Sequence, residues 1–169
     1  TDDIYGGSHR LFLNISKKNG ITFDFADTSD ISQIEKLIKP ETKAVFVETP
    51  TNPMMHVTDL SAVAGLLKDK NILLIVDNTF LTPYFQNPLS LGADIVIHSG
   101  TKYLGGHNDT IAGFVVVKEE ELSERLRFIY KTIGPCLSPF DSWLIIRGIK
   151  TLAVRMERQQ LSALEISQL

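Results

Sequence analysis

Short apolar runs and longer stretches of helical period take turns along the chain. Ile21 to Phe25 is predicted as a short strand. Asp30 then caps a helix whose apolar positions Ile31, Ile34, Leu37 and Ile38 share one face, with Gln33 placed to complete the cap. Ala44 to Val47 has the length and composition of a strand and runs into the turn-forming Thr49-Pro50-Thr51-Asn52-Pro53. A helix is predicted from about Leu60, carrying Val63, Ala64, Leu66 and Leu67. Ile72 to Val76 is apolar at every position, the pattern of a strand buried on both faces of a sheet. Asp94 to His98, after Gly92, and Ile111 to Val117 complete the strands. Beyond Glu119 the period becomes helical through Leu122, Leu126, Ile129 and Ile133, and Gly134-Pro135 ends it. A second helical stretch is expected from about Pro139 to the end.

Strand and helix alternating at this spacing predict crossover units. The expected fold is therefore α/β, a largely parallel sheet with helices on both faces. In such a sheet the ligand lies beyond the carboxyl ends of the strands.

Composition narrows the classes further. At 169 residues the chain is sized for one domain with a substantial core. Its net charge of −3 comes with scattered Lys and Arg, so neither a nucleic-acid partner nor a polybasic membrane patch is expected. No apolar run approaches the roughly 20 residues that span a bilayer, and Thr1-Asp2-Asp3 is neither basic nor apolar as a signal peptide would require. The lone Cys136 has no internal disulfide partner. Together these predict a cytoplasmic protein. The chain opens without Met and closes at Leu169 inside a helical pattern, so residues 1–169 are expected to be the central part of a longer chain.

Three loops carry the candidate chemistry, each following a predicted strand: Glu48 to Pro53, Val76-Asp77-Asn78-Thr79, and Ser99-Gly100-Thr101-Lys102. A pyridoxal-phosphate site needs a lysine to hold the cofactor covalently and carry protons, and a carboxylate to pair with the pyridinium nitrogen. It also needs hydroxyls for the phosphate and an aromatic ring for the pyridine face. Lys102, Asp77, Ser99 with Thr101, and Tyr5 supply these. The competing readings are blander. An Asp closing an apolar strand also marks nucleotide hydrolases, but the G-x-x-x-x-G-K-[ST] loop they require is missing. His98, His107 and Asp109 lack the spacing and further ligands of a metal site, so no metal is expected. Gly105-Gly106 is read as a tight backbone turn, and Glu119-Glu120-Glu121 as a helix start favoured by the macrodipole.

The string Ser99-Gly100-Thr101-Lys102-Tyr103-Leu104-Gly105-Gly106-His107 resembles the cofactor-lysine signature of the Cys/Met-metabolism family of pyridoxal-phosphate enzymes. Tyr5-Gly6-Gly7, Glu48 to Pro53, Val76 to Phe80 and Arg147 to Leu152 are similar to four further blocks of that family, in the same order. The resemblance implies the large domain of a fold type I enzyme, with the N-terminal segment and C-terminal domain lying outside residues 1–169. It implies pyridoxal 5'-phosphate bound covalently by Lys102, Asp77 on the ring nitrogen, and Ser99 and Thr101 on the phosphate. Tyr5 would stack on the ring and assist proton transfer, and Asn52 would lie near the phenolic oxygen.

The activity implied is γ-elimination or γ-replacement on cystathionine or an activated homoserine, by a homotetramer built from dimers. The blocks around Tyr5 and Lys102 are most similar to the cystathionine γ-lyase and γ-synthase branch. Methionine γ-lyase, cystathionine β-lyase and O-acetylhomoserine sulfhydrylase chemistry are the alternatives within the family. A non-catalytic nucleotide-binding α/β module is the alternative outside it. Residues 1–169 alone are expected to be inactive and to hold the cofactor weakly.

Overall fold

The computed structural model describes residues 1–169. Four strands form one sheet in sequential order: β1 (Ala44–Glu48), β2 (Leu73–Asp77), β3 (Ile95–Ser99) and β4 (Gly113–Val117). The first three run parallel and β4 runs antiparallel to β3. The reversal at β4 goes with the kind of connection that precedes it. A parallel return is usually made by a crossover helix, and Gly100 to Ala112 holds only the five-residue turn Gly100–Leu104 and a loop.

Helices α1 (Gly6–Arg10), α2 (Ile31–Leu37), α3 (Leu60–Leu67), α4 (Thr82–Phe85), α5 (Glu120–Ile133), α6 (Pro139–Ile149) and α7 (Leu152–Ile166) flank the sheet. The expected cap forms, Asp30 accepting from the Ser32 N–H at 3.0 Å, and Asp59 likewise caps α3 by accepting from the Ala62 N–H at 3.0 Å. Gly134 takes a left-handed φ of 78° at the end of α5. No helix is long and apolar enough to cross a membrane.

The main core lies on one face of the sheet. There Val47, Leu74, Val76 and Val96 pack with Leu60, Val63 and Leu67 of α3 and with Ile34 of α2. The opposite face carries Phe46, which meets Phe12 edge-on at 5.3 Å. Strand β2 thus departs from the expected two-sided burial. Leu74 and Val76 are buried, whereas Leu73 is exposed and Ile75 half-buried, because α2 and α3 press on one face only.

Two further expectations are corrected. Ile21–Phe25 is not a strand. The outer edge of β1 that it would pair with is taken by Thr1, whose nitrogen donates to the Phe46 carbonyl and whose hydroxyl accepts from the Glu48 N–H. Phe23 instead stacks on Phe12 at 4.8 Å. The final helical stretch divides into α6 and α7 at Lys150–Thr151. The Gly148 carbonyl ends α6 by accepting three donors: the Thr151 N–H, the Thr151 hydroxyl and Nη2 of Arg155.

Candidate active site

Parallel pairing sets the carboxyl ends of β1, β2 and β3 side by side. Glu48 is the register partner of Asp77, and Asp77 of Ile97. Period-two alternation then puts Glu48, Asp77 and Ser99 on the face opposite α3. Three of the polar residues of the expected site blocks thereby share one edge and one face.

The Asp77 carboxylate is held from its own turn. Its Oδ1 accepts from the Thr79 N–H at 3.0 Å and from the Thr79 hydroxyl at 2.5 Å. The same hydroxyl accepts from the Ser99 N–H at 2.8 Å, so one threonine ties the carboxylate of β2 to the start of the lysine turn. Asn78, between them, is fully buried and bonds the Thr82 and Gln86 carbonyls, which anchors the turn after β2. Oδ2 of Asp77 and the Ser99 hydroxyl are left free to meet a ligand.

Lys102 is exposed within the turn Gly100–Leu104, where its φ of −93° and ψ of −123° break the helical path. Its carbonyl accepts from the Gly106 N–H at 2.7 Å, and Gly100 accepts from the Gly105 N–H at 2.9 Å. No acidic group pairs with its amine, the ion pair in this chain being Lys39–Asp24. The turn is clamped from behind. Arg155 donates from Nη1 to the Tyr103 carbonyl at 2.8 Å and from Nη2 to the Gly148 carbonyl at 2.9 Å. Gly106 is required beside it, with φ +75° and the guanidinium where a Cβ would stand. Burial pulls the Arg155 pKa down. Asp141 of α6 holds the far end of the loop by accepting the Thr110 hydroxyl at 2.6 Å.

Thr101 faces inward more than its implied phosphate role requires. Its hydroxyl donates to the Ala112 carbonyl at 3.3 Å and accepts from the Ala112 N–H at 3.0 Å. That proton would have to be redirected to serve an anion, whereas the Ser99 hydroxyl is free.

Tyr5 is half exposed, and its ring folds back over Gly7, where a Cβ would come within 2.4 Å of it. Asn52 is half-buried in the loop after β1. Both are fastened to Glu48 through their backbone N–H groups. His98 sits buried in β3 with Nδ1 unpartnered, and burial lowers its pKa. His107 turns its Nδ1 onto the Gly105 carbonyl at 2.8 Å. A recess of about 540 Å³ adjoins the turn, lined by Thr101, Asn108, Asp109, Thr110 and Asp141. Another cavity, of about 620 Å³, lies away from this edge between α2, β1 and Ile21–Phe25, and no candidate site residue lines it.

Thr79, Glu48 and Arg155 are the site-building residues that sequence reasoning passed over. Thr79 had a signal, two positions after Asp77 in the same block. Arg155 had none, since its role exists only through tertiary packing.

A free lysine amine, a fastened carboxylate with one open oxygen and a free serine hydroxyl suit pyridoxal phosphate: an amine for the aldehyde, an acceptor for the ring nitrogen, a donor for the phosphate. Fold and site are those of an α/β domain whose residues fit that cofactor. The chain belongs to the Cys/Met metabolism PLP-dependent enzyme family, whose model matches residues 1–169. It is 53% identical over 167 residues to a cystathionine gamma-lyase of Bacillus subtilis, covering 99% of this chain and 44% of that protein. It is 56% identical over 167 residues to a cystathionine gamma-synthase/O-acetylhomoserine (thiol)-lyase of the same organism, covering 99% of this chain and 45% of the relative. Among solved structures it is similar to cystathionine gamma-lyase from Lactobacillus plantarum complexed with L-serine, with a TM-score of 0.89 and 49% identity. That match covers 90% of this chain and 40% of that one. The chain thus spans under half the length of these relatives.

Proposed function

We propose that residues 1–169 form the reaction centre of a pyridoxal-phosphate enzyme that performs γ-elimination or γ-replacement on cystathionine or an activated homoserine. The observation that carries it is the Asp77–Thr79–Ser99 hydrogen-bond chain, which joins a carboxylate to the lysine turn. Relatives named for γ-lyase and γ-synthase activities at above 50% identity support the substrate class.

Pyridoxal phosphate, when bound, supplies the electron sink for charge developing on the substrate's α-carbon. The chain's own residues do the rest. The Lys102 amine holds the cofactor, then takes the α-proton and carries protons between substrate carbons. Asp77, its Oδ1 fixed by Thr79, offers Oδ2 to the ring nitrogen and keeps it protonated. Ser99 would hold the phosphate, joined by Thr101 once its hydroxyl turns from the Ala112 carbonyl; Tyr5 would cover the ring and serve proton transfer to the leaving group, and Asn52 would adjoin the phenolic oxygen. Residues 1–169 act as the central part of the cofactor-binding large domain, in a cytoplasmic homotetramer assembled from dimers.

Replacing Lys102 with Ala in the full-length protein tests this. Turnover of cystathionine and O-acetylhomoserine is expected to fall by at least about a thousandfold, in line with loss of a nucleophile and a general base together. Activity near that of the parent would remove Lys102 from the mechanism.

A further inference from the structure

Glu48 is the last residue of β1 and only 6% exposed. Its two carboxylate oxygens are used separately. Oε2 accepts from the Tyr5 N–H at 3.0 Å, and Oε1 accepts from the Asn52 N–H at 2.8 Å. One side chain thus fastens two segments, one from far upstream in the chain and one from the loop directly after its own strand.

This arrangement is held against an electrostatic cost. No Lys, Arg or His pairs with Glu48. Burial raises its pKa, the neighbouring Asp77 raises it further, and the two N–H donors act in the opposite direction. A glutamine or an apolar residue would bury more cheaply at this position. What neither can do is offer two acceptor oxygens in a fork, because an amide carries one oxygen and one NH₂ group.

A second tie keeps the same segments together further from the edge. Asp3 Oδ2 accepts from the Thr51 hydroxyl at 2.5 Å and from the Met54 N–H at 2.9 Å. Ile4, next to Tyr5, is buried. Removing Glu48 therefore leaves the segments docked through Asp3 and frees the N–H groups of Tyr5 and Asn52.

We propose that Glu48 is a positioning residue: it sets Tyr5 and Asn52 at the edge of the site through their backbone N–H groups and touches neither cofactor nor substrate. The inference rests on the function proposed above, in which Tyr5 covers the cofactor ring. Glu48→Gln retains one acceptor and releases one segment, Glu48→Ala releases both, and Glu48→Asp keeps the fork but falls a methylene short.

The test uses the full-length holoenzyme and reads three quantities: amide hydrogen exchange at Tyr5 and Asn52, the visible circular dichroism of the bound cofactor, and kcat/KM. In the parent both amides are expected to be protected. In Glu48→Ala they exchange about tenfold to a hundredfold faster, the range for losing a hydrogen bond to a charged acceptor. Amides of β2 and β3 keep their rates, the dichroic band weakens and kcat/KM falls. Glu48→Gln frees one of the two amides, and Glu48→Asp recovers part of the dichroic band. Unprotected amides in the parent, or faster exchange with an unchanged band and unchanged kcat/KM, would overturn the proposal. So would unfolding of both Glu48→Gln and Glu48→Ala, which would make Glu48 a determinant of the fold and not of position. Borohydride reduction of the parent separates this from the underlying reading. A missing adduct on Lys102 sinks the proposed function, while an adduct with unprotected Tyr5 and Asn52 amides sinks the role of Glu48 alone.

Discussion

Gly148→Ala is expected to displace the lysine turn without touching any residue of the site. A Cβ at position 148 would stand 2.2 Å from the Gly105 carbonyl oxygen and 2.9 Å from both the Gly105 carbon and the Leu104 oxygen. All three are backbone atoms, so no side chain can swing away. Helix α6 has to retreat from the turn by roughly 1 Å to bring the contact near van der Waals distance. Overpacking of this kind costs about 1–3 kcal/mol, and a backbone obstacle places it at the upper end. Alanine returns about 1 kcal/mol of helix propensity. The net loss is about 2 kcal/mol, close to a thirtyfold shift in the folding equilibrium. Gly65→Ala in α3 is the matched control, since nothing lies within 4 Å of its Cβ, and there the propensity gain stands alone. Urea denaturation should separate the two variants by roughly 1 M or more in midpoint. Because Gly105 and Gly106 bond back to Gly100 and Lys102, the Gly148 variant should also lose catalytic rate. Equal midpoints for the two variants would refute the close approach of α6 to the lysine turn.

Two further outcomes follow from the same geometry. Thr101→Val leaves the buried Ala112 N–H without its side-chain acceptor, so stability should drop by about 1–3 kcal/mol, with most of it recovered by Thr101→Ser in the same urea assay. His98 has a pKa lowered by burial from 6.5, so the unfolded chain takes up its proton first as the pH falls. Stability is therefore full above about pH 6.5, declines below it, and levels off once the native imidazole protonates. Denaturation midpoints of His98→Gln measured across that window should lack this share of the acid slope.

The elements legible in the sequence were those whose reason to form is local. Ile72 to Val76 and Asp94 to His98 were read as strands from their apolar runs, and the structure shifts each by one residue, to Leu73–Asp77 and Ile95–Ser99. Asp30 caps its helix through its own neighbours. Ile21–Phe25 has the composition of a strand, and it failed as one because Thr1 occupies the edge of β1, a fact carried by residues distant in sequence. The break between α6 and α7 likewise depends on three donors converging on one carbonyl, one of them from Arg155. Lys102, Asp77 and Ser99 could be nominated from the sequence because each ends or follows a strand, and the structure brings Asp77 and Ser99 to one edge. The fork of Glu48 to Tyr5 and the bond from the Ser99 N–H to Thr79 were not, since partners distant in sequence are set by the packing and register of the strands.

The central claim is that Lys102 carries the cofactor. Sodium borohydride reduction of the full-length protein, purified with pyridoxal phosphate, followed by peptide mass analysis, addresses it directly. Loss of the near-visible absorbance is expected together with a reduced pyridoxyl-phosphate adduct on the peptide containing Ser99 to Leu104, localised to Lys102. An adduct on another lysine, or none on a protein that turns over its substrate, would contradict it.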